Sequence, residues 1–446
     1  MEKIASGGFG IGYAEGKAIF VPYTAIGDQV EVQIVSPKKD VAFAKIQKYI
    51  KRGPGTIEPG CPSFGPPLFC GGCDWLHLSY ETQLKYKTKL VRELIQPLAP
   101  EINILDTIAS PVTQHYRNKS FMPVGKGETG LEYGIYERWS HKIVAHHTCL
   151  LHPAEFDLIA NRCLELMDNA KVQPYDEINH TGTLRHIGFR CSKDRKQILL
   201  ILVTRSAKLP FSNLLVKKLT SEFPNLSGII QNINRESGNV ILGNEEKILY
   251  GSPWITEELD NLKFRIHYKS FWQVNSYILQ LIIRDIADKV LAQDTVLDTF
   301  SGIGVLGLSL AARAREVFCI EELTDAVEDG RYNCQLNNIS NVTFLCGQTE
   351  DLLPKILNHP DVYRNYSPEV IILDPPRTGV QKSVLEEIIK VQLPHILYLS
   401  CSPITLRRDL TLLLDSGLYE ITSIQPFDMF PQTWHIETLV ELKLKR

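Results

Sequence analysis

From about residue 266 to the C-terminus, short apolar runs alternate with stretches of helical pattern, and this alternation constrains the fold more than any other feature. The runs are Thr295–Leu297, Val317–Ile320, Val370–Leu373 and Ile396–Leu399. Strands regularly interleaved with helices specify a doubly wound α/β sheet. In such sheets ligands bind beyond the carboxyl ends of the strands, so the residues just past each run are where chemistry is to be sought.

The rest of the chain has a different texture. At 446 residues it is too long for one typical domain, and two or three compact units are expected. Residues 1–52 carry short β-rich runs broken by glycine, among them Ala18–Pro22 and the alternating Gln29–Val35. Several short strands in so little chain predict a small, OB-like β-barrel. Residues 53–265 form a central α+β unit. It opens on a Gly- and Pro-rich stretch with three cysteines, followed by a polar helix from Tyr80 to Ile95 that is a candidate to pack on the last unit. Residues 266–446 make the Rossmann-like unit.

Composition excludes several classes. With 44% hydrophobic and 22% charged residues the chain can build large cores, and its net charge of -3 is not that of a wholesale nucleic-acid neutraliser. Nucleic-acid affinity must come from local patches, such as Met1–Arg52 with eight Lys/Arg against five Asp/Glu. No apolar run reaches membrane-spanning length and the N-terminus has no hydrophobic signal region, so a cytoplasmic protein without a membrane partner is expected. In that compartment the ten cysteines are ligands, nucleophiles or core residues rather than disulfides.

Four motifs follow the strands. Asp298-Thr299-Phe300-Ser301-Gly302-Ile303-Gly304-Val305-Leu306-Gly307 joins a strand to a helix, where glycine lets a ligand approach the backbone. Its G-x-G-x-x-G spacing leaves a dinucleotide reading open, and Glu321 after the next strand suits the ribose of either NAD or S-adenosylmethionine. Leu373-Asp374-Pro375-Pro376-Arg377-Thr378-Gly379 is a turn stiffened by two prolines, with Arg377 where amino-group methyltransferases carry a base-stacking aromatic. Leu399-Ser400-Cys401-Ser402-Pro403 places a cysteine between a strand and a helix start, where the helix end and nearby arginines are expected to favour the thiolate. Phe430-Pro431-Gln432-Thr433-Trp434-His435-Ile436-Glu437 ends beside a final strand; an exposed Glu437–His435 salt bridge is the default expectation there.

Together with Phe271-Trp272-Gln273-Val274-Asn275 and Tyr116-Arg117-Asn118-Lys119, these strings resemble, in order and over essentially the whole chain, those of the RNA uridine-5-methyltransferase family. The resemblance implies that Gln273, Phe300, Glu321 and Asp374, with Gly302 and Gly304 in the glycine turn, bind S-adenosylmethionine. It further implies that Cys401 is the nucleophile and Glu437 the general base in forming 5-methyluridine. Val305 departs from the asparagine that relatives often carry. The chemistry explains the residue types: thiolate attack on carbon 6 makes carbon 5 nucleophilic, and a base then removes the carbon-5 proton. The target must be single-stranded or flipped out to be reached.

Residues 1–52 resemble the RNA-binding barrel attached to many family members. Cys61, Cys70, Cys73 and Cys149 resemble the four-cysteine [4Fe-4S] site of the ribosomal-RNA branch, although the first spacing is longer than usual; zinc is the alternative. Cys163, Cys191, Cys319, Cys334 and Cys346 have no such pattern and are expected in the core. The resemblance favours 23S ribosomal RNA as partner over transfer RNA and implies no obligate protein partner. An NAD-dependent oxidoreductase or a non-catalytic RNA-binding protein would leave Cys401, Asp374 and Glu437 without a role.

Overall fold

The computed structural model describes residues 1–358 and 368–445; residues 359–367 and 446 of the expected catalytic unit lie outside them. Five strands open the chain: β1 (Lys3–Ala5), β2 (Phe9–Ala14), β3 (Lys17–Val21), β4 (Gln29–Pro37) and β5 (Val41–Lys51). They form one sheet in the order β1-β2-β3-β5-β4, antiparallel except for the parallel β3–β5 pair. Val21, Tyr23, Ala44 and Ile46 are buried together beneath it. Strand β4 keeps its alternation but is half-exposed or exposed throughout, so its pattern reports pairing rather than a core position.

Helix α1 (Tyr80–Ile95) is capped by Ser79, whose side chain accepts from the Thr82 N–H. A seven-stranded sheet follows, in the order β12-β11-β10-β9-β6-β7-β8. Its strands are β6 (Lys119–Lys126), β7 (Leu131–Tyr136), β8 (Ile143–Ala145), β9 (Leu184–Cys191), β10 (Ile198–Thr204), β11 (Leu226–Ile233) and β12 (Glu245–Gly251). Helices α2 (Ala154–Asn169) and α3 (Ser212–Glu222) cover one face. Every residue of β10 is buried because both of its faces are used. Ile198, Leu200 and Leu202 point to the helices, whereas Leu199, Ile201 and Val203 point to the hairpin β13 (Trp254–Leu259) and β14 (Leu262–His267) and to α4 (Ser276–Asp288).

The C-terminal sheet comprises β15 (Thr295–Thr299), β16 (Glu316–Glu321), β17 (Val342–Cys346), β18 (Val370–Leu373), β19 (His395–Ser400), β20 (Tyr419–Phe427) and β21 (Glu437–Leu444). Helices α5 (Val305–Leu310), α6 (Thr324–Leu336), α7 (Thr349–Asn358), α8 (Lys382–Val391) and α9 (Pro403–Asp415) connect them. The order β17-β16-β15-β18-β19-β21-β20 reverses direction between β15 and β18, the switch point at which doubly wound sheets open a crevice. Strands β15 to β19 are parallel; β21 is inserted antiparallel between β19 and β20. No helix among the described residues is long and apolar enough to cross a membrane. Of the five cysteines expected in the core, Cys346 is exposed, because it closes the edge strand β17 and faces the turn after β16.

Helix α1 joins the N-terminal half to the C-terminal sheet. Val91 and Ile95 are buried with Ile371, Ile396 and Tyr398. On the same helix Lys87, fully buried, pairs with the equally buried Asp428 and donates to the Phe430 carbonyl at 3.0 Å. Gln83 and Gln432 exchange hydrogen bonds at 2.9 Å each. Removing one partner of a buried ion pair strands the other charge, at a cost of about 3–5 kcal/mol. Lys87→Ala is therefore expected to lower the unfolding free energy by that order, read as a lower denaturation midpoint, while Lys87→Met combined with Asp428→Leu recovers most of the loss. Equal midpoints for wild type and Lys87→Ala would show that the pair contributes nothing.

Candidate active site

Past β15 the chain turns sharply. Phe300, Gly302 and Gly304 have φ of 59°, 56° and 79°. Glycine adopts that region freely, but an aromatic residue held there is strained by about 1–3 kcal/mol and is typical of functional turns. Gly302 donates its N–H to Glu321 Oε2 at 2.9 Å, and a Cβ at Gly302 would meet nothing, because the turn faces open space. Gly304 has another role: a Cβ there would fall 2.4 Å from the Phe344 ring. It starts α5 against the sheet and does not line the cavity described below. Asp298 accepts from the Gly307 N–H at 2.9 Å, while its Oδ1 is buried without a partner.

Strand β18 delivers Asp374 to the neighbouring position. The turn behind it is clamped by α9. Asp409 accepts from the Val380 N–H at 2.9 Å and from the Tyr398 hydroxyl at 2.7 Å, and Arg408 donates to the Thr378 and Val380 carbonyls at 3.1 Å each. The Arg-Asp of the cysteine motif thus holds the Asp-Pro-Pro-Arg turn in place.

Strand β19 delivers Cys401. Its partner β21 runs the opposite way, so β21 begins where β19 ends: Ser400 pairs with Thr438, and Glu437 lies beside Cys401. Glu437 is 2% exposed and its Oε2 has no hydrogen-bond partner. The expected Glu437–His435 salt bridge does not form. Burial, with Arg377 and Lys87 nearby, pushes His435 down to about 3, leaving it neutral. Burial, with the charge of Asp374 adding to it and Arg377 opposing, pushes the Glu437 carboxyl well above its ordinary range. The expected thiolate is also reversed in the free protein. Burial first, then Glu437 and Asp374, push the Cys401 thiol up to about 12 against the pull of Arg377.

The Gln273 loop closes the site from the other side. Asn275 caps α4, accepting from the Tyr277 N–H at 3.2 Å, and donates to Ser110 Oγ at 3.0 Å. Asn118 donates to the Gln273 carbonyl at 3.0 Å, and the Tyr116 hydroxyl donates to the Pro431 carbonyl at 3.0 Å. Two resemblance motifs are therefore braces. Gln273, Phe300, Gly302, Glu321, Asp374, Cys401 and Glu437 all line one cavity of about 1460 Å³, as does Val305. Sequence reasoning missed Gln83, Lys87 and Asp428, which fix the loop carrying His435. It also assigned no role to Trp139 and Phe121, which line the same cavity.

Cys61, Cys70, Cys73 and Cys149, none of them disulfide-bonded, lie near enough to perturb one another. Burial pushes the Cys61, Cys70 and Cys73 thiols up, Cys70 to about 11, and the neighbouring cysteines add to the effect. Burial likewise opposes the Cys149 thiolate, but its hydrogen bond with His152 wins and pulls it down. Cys149 also meets His146 and His152, with their ligand atoms within 4.8 Å of one another.

The fold is a doubly wound α/β sheet whose switch-point cavity gathers a cysteine and buried carboxyls, the architecture of a nucleotide-binding enzyme class. Residues 79–445 match the family model for tRNA (uracil-5-)-methyltransferase, and residues 1–54 match that for the TRAM domain of tRNA (uracil(54)-C(5))-methyltransferase. An uncharacterized RNA methyltransferase of Halalkalibacterium halodurans is 34% identical over all of this chain and 96% of its own length. One from Clostridium tetani is 34% identical over 97% of this chain and 93% of its own. The crystal structure of Pyrococcus abyssi tRNA (uracil-54, C5)-methyltransferase in complex with S-adenosyl-L-homocysteine superposes with a TM-score of 0.78 at 26% identity, covering 99% of both chains. The chain belongs to the RNA uracil-5-methyltransferase family: a β-rich TRAM domain precedes a mixed α/β methyltransferase fold.

The charge arrangement sets the reactivity of the free thiol. A thiol held near 12 is almost wholly protonated at neutral pH, so alkylation of Cys401 by iodoacetamide is expected to climb about ten-fold per pH unit from 7 to 10. Glu437→Gln removes the group whose ionised form, after burial, most opposes the thiolate, and should raise the rate at the alkaline end of that range. Peptide mass mapping separates Cys401 from the exposed Cys346. A rate already level by pH 8 would contradict this reading.

Proposed function

We propose that the protein transfers a methyl group from S-adenosylmethionine to carbon 5 of a uridine in RNA, with Cys401 as nucleophile and Glu437 as general base. The observation that carries this reading is the juxtaposition of Cys401 and Glu437 across the β19–β21 pair, at the mouth of the β15–β18 switch point. Asp298 and Asp374 are pushed up to about 8 and about 7 by burial, and Asp298 Oδ1 and Glu437 Oε2 lack partners. Such a cavity is short of positive charge. S-adenosylmethionine, when bound, supplies the transferable methyl together with a sulfonium and an ammonium. Gln273, Phe300, Gly302, Glu321 and Asp374 are the residues placed to hold it, with Gly304 shaping the turn behind them and Val305 standing at the rim.

The same charge makes the nucleophile. Added positive charge favours the Cys401 thiolate, which attacks carbon 6 of the uracil and leaves an enolate whose carbon 5 takes the methyl as the sulfonium–methyl bond breaks and the donor departs as a neutral thioether. Glu437, held high by its dry surroundings, accepts the carbon-5 proton. Cleavage of the sulfur–carbon 6 bond then restores the ring and the thiolate. Neutral His435 lies close by without competing for that proton.

We infer three finer points. Residues 1–52, 53–265 and 266–446 act as barrel, central and catalytic units, and the 1-2-3-5-4 strand order with a parallel β3–β5 pair supports an OB-like barrel. The four mutually close cysteines hold a [4Fe-4S] cluster, which when present ties Cys61, Cys70 and Cys73 to the segment bearing Cys149. Ribosomal RNA of the large subunit is the substrate on that account; transfer RNA is the second reading, favoured by the likeness to the Pyrococcus abyssi enzyme.

Labelled-methyl transfer to unmodified 23S ribosomal RNA and transfer RNA should yield 5-methyluridine in the ribosomal RNA. Cys401→Ala should reduce the rate at least a thousand-fold. Glu437→Gln should instead trap a protein–RNA adduct that resists denaturing gel electrophoresis, because carbon 5 keeps its proton. Label in transfer RNA alone would change the substrate, and an active Cys401→Ala would end the mechanism. Anaerobically purified protein should be brown, with iron and sulfide lost in Cys73→Ser and largely kept in His146→Ala. Stoichiometric zinc that depends on His146 and His152 would replace the cluster by the His–Cys–His set.

A further inference from the structure

Part of the cavity lining comes from the tip of the β7–β8 hairpin, Glu137 to His141, and includes Trp139. This side chain is 52% exposed, although large aromatics are normally covered. Its backbone has φ 64°, a conformation that a bulky side chain adopts only when its surroundings impose it. Those surroundings are specific. Glu137 is ion-paired to Lys45 of β5 at 2.7 Å, Arg138 donates to the Gly7 carbonyl at 3.3 Å and pairs with Asp74, and the Gly71 N–H reaches the Tyr136 carbonyl at 3.0 Å. The N-terminal sheet, through Lys45 and Gly7, and the 71–74 segment together hold the tip.

The sheet also backs the ring. Phe9 of β2 lies parallel to the Trp139 indole, with centroids 5.9 Å apart and planes at 12°, and Phe43 meets it edge-on at 6.1 Å. One indole face is covered by Phe9 of the TRAM domain, half of the residue stays exposed, and Trp139 lines the same cavity as Cys401. At about 1460 Å³ that cavity exceeds the roughly 300–1,000 Å³ of an ordinary small-ligand pocket, leaving room for more than one nucleotide and the donor.

We propose that Trp139, stacked on Phe9, is the platform on which a nucleotide flanking the target uridine stacks in single-stranded RNA. The target base goes to Cys401 and its neighbour rests on Trp139, so the TRAM domain sets the register through the ring it supports. Stacking on an aromatic is sequence-tolerant and strong enough to hold an unpaired strand in place.

This rests on the RNA methyltransferase reading, and the test separates the two. With the transcript that wild type methylates, Trp139→Ala should raise KM for RNA about ten-fold or more. KM for S-adenosylmethionine and kcat should stay within about two-fold, and Trp139→Phe should retain most of the affinity. Abasic substitutions scanned through the positions flanking the target should include one that costs wild type the same factor and costs Trp139→Ala nothing further. An unchanged KM for RNA, or abasic and Trp139→Ala penalties that multiply at every position, would overturn the proposal and leave the catalytic reading standing. Failure of wild type to methylate any uridine-containing transcript would remove both. Loss of affinity in Trp139→Phe equal to that in Trp139→Ala, with a lowered unfolding temperature, would assign Trp139 to domain docking alone.

Discussion

The antiparallel insertion of β21 between β19 and β20 is the constraint on which the site depends. Parallel strands deliver their carboxyl ends to one edge of the sheet, and an antiparallel neighbour brings its amino end, with Glu437, the proposed general base, to that same edge. Pairing Ser400 with Thr438 puts Cys401 and Glu437 on adjacent strands, leaving no freedom for one to drift from the other. Because side chains alternate with period two, a slip of one residue would turn Glu437 into the core. Register is therefore part of the catalytic geometry, and the cores on both faces of the sheet protect it.

That register needs the preceding loop to be fixed, and the fixing comes from far away. Lys87 and Gln83 hold Asp428, Phe430 and Gln432 from a helix that precedes them by more than 340 residues. Since α1 also packs Val91 and Ile95 under the C-terminal sheet, the catalytic unit is complete only with a piece of the N-terminal half. The buried ion pair is an expensive way to make this connection compared with apolar packing. What it adds is direction: an ammonium among a carboxylate and a carbonyl accepts one loop conformation, which apolar contacts alone would not select.

These dependencies explain what could be read from the chain. Strands β15, β16, β18 and β19 and helix α1 were legible because apolar runs, period and caps are local properties. The candidate residues were legible because turns at strand ends carry short, ordered strings. The Cys401 thiol was read with the wrong sign, since local features (a helix start, arginines) suggested a thiolate while burial, the largest cause, and the neighbours Glu437 and Asp374 all come from the packing of other strands. The default expectation of an exposed Glu437–His435 ion pair failed for the same reason, since both residues are covered by distant parts of the chain. Lys87 looked like any lysine of a polar helix, and Asn118 and Asn275 looked like motif letters until the structure showed them bracing the Gln273 loop.

The electrostatics give the free site a resting state. Three buried carboxyls and a thiol are all shifted toward their neutral forms, and Arg377 alone opposes the shifts of Cys401 and Glu437. A cavity in that condition is a poor nucleophile and a poor base until a cation enters it. Under the proposed mechanism, a cation placed beside Cys401 would lower the thiol's pKa and so couple its reactivity to occupancy of the cavity. Such coupling protects the thiol from adventitious oxidation and alkylation between turnovers, because the thiolate, not the thiol, is the reactive species. The raised thiol is in this sense the counterpart of the orphaned carboxylate oxygens beside it: both record a positive charge that the fold leaves to its ligand.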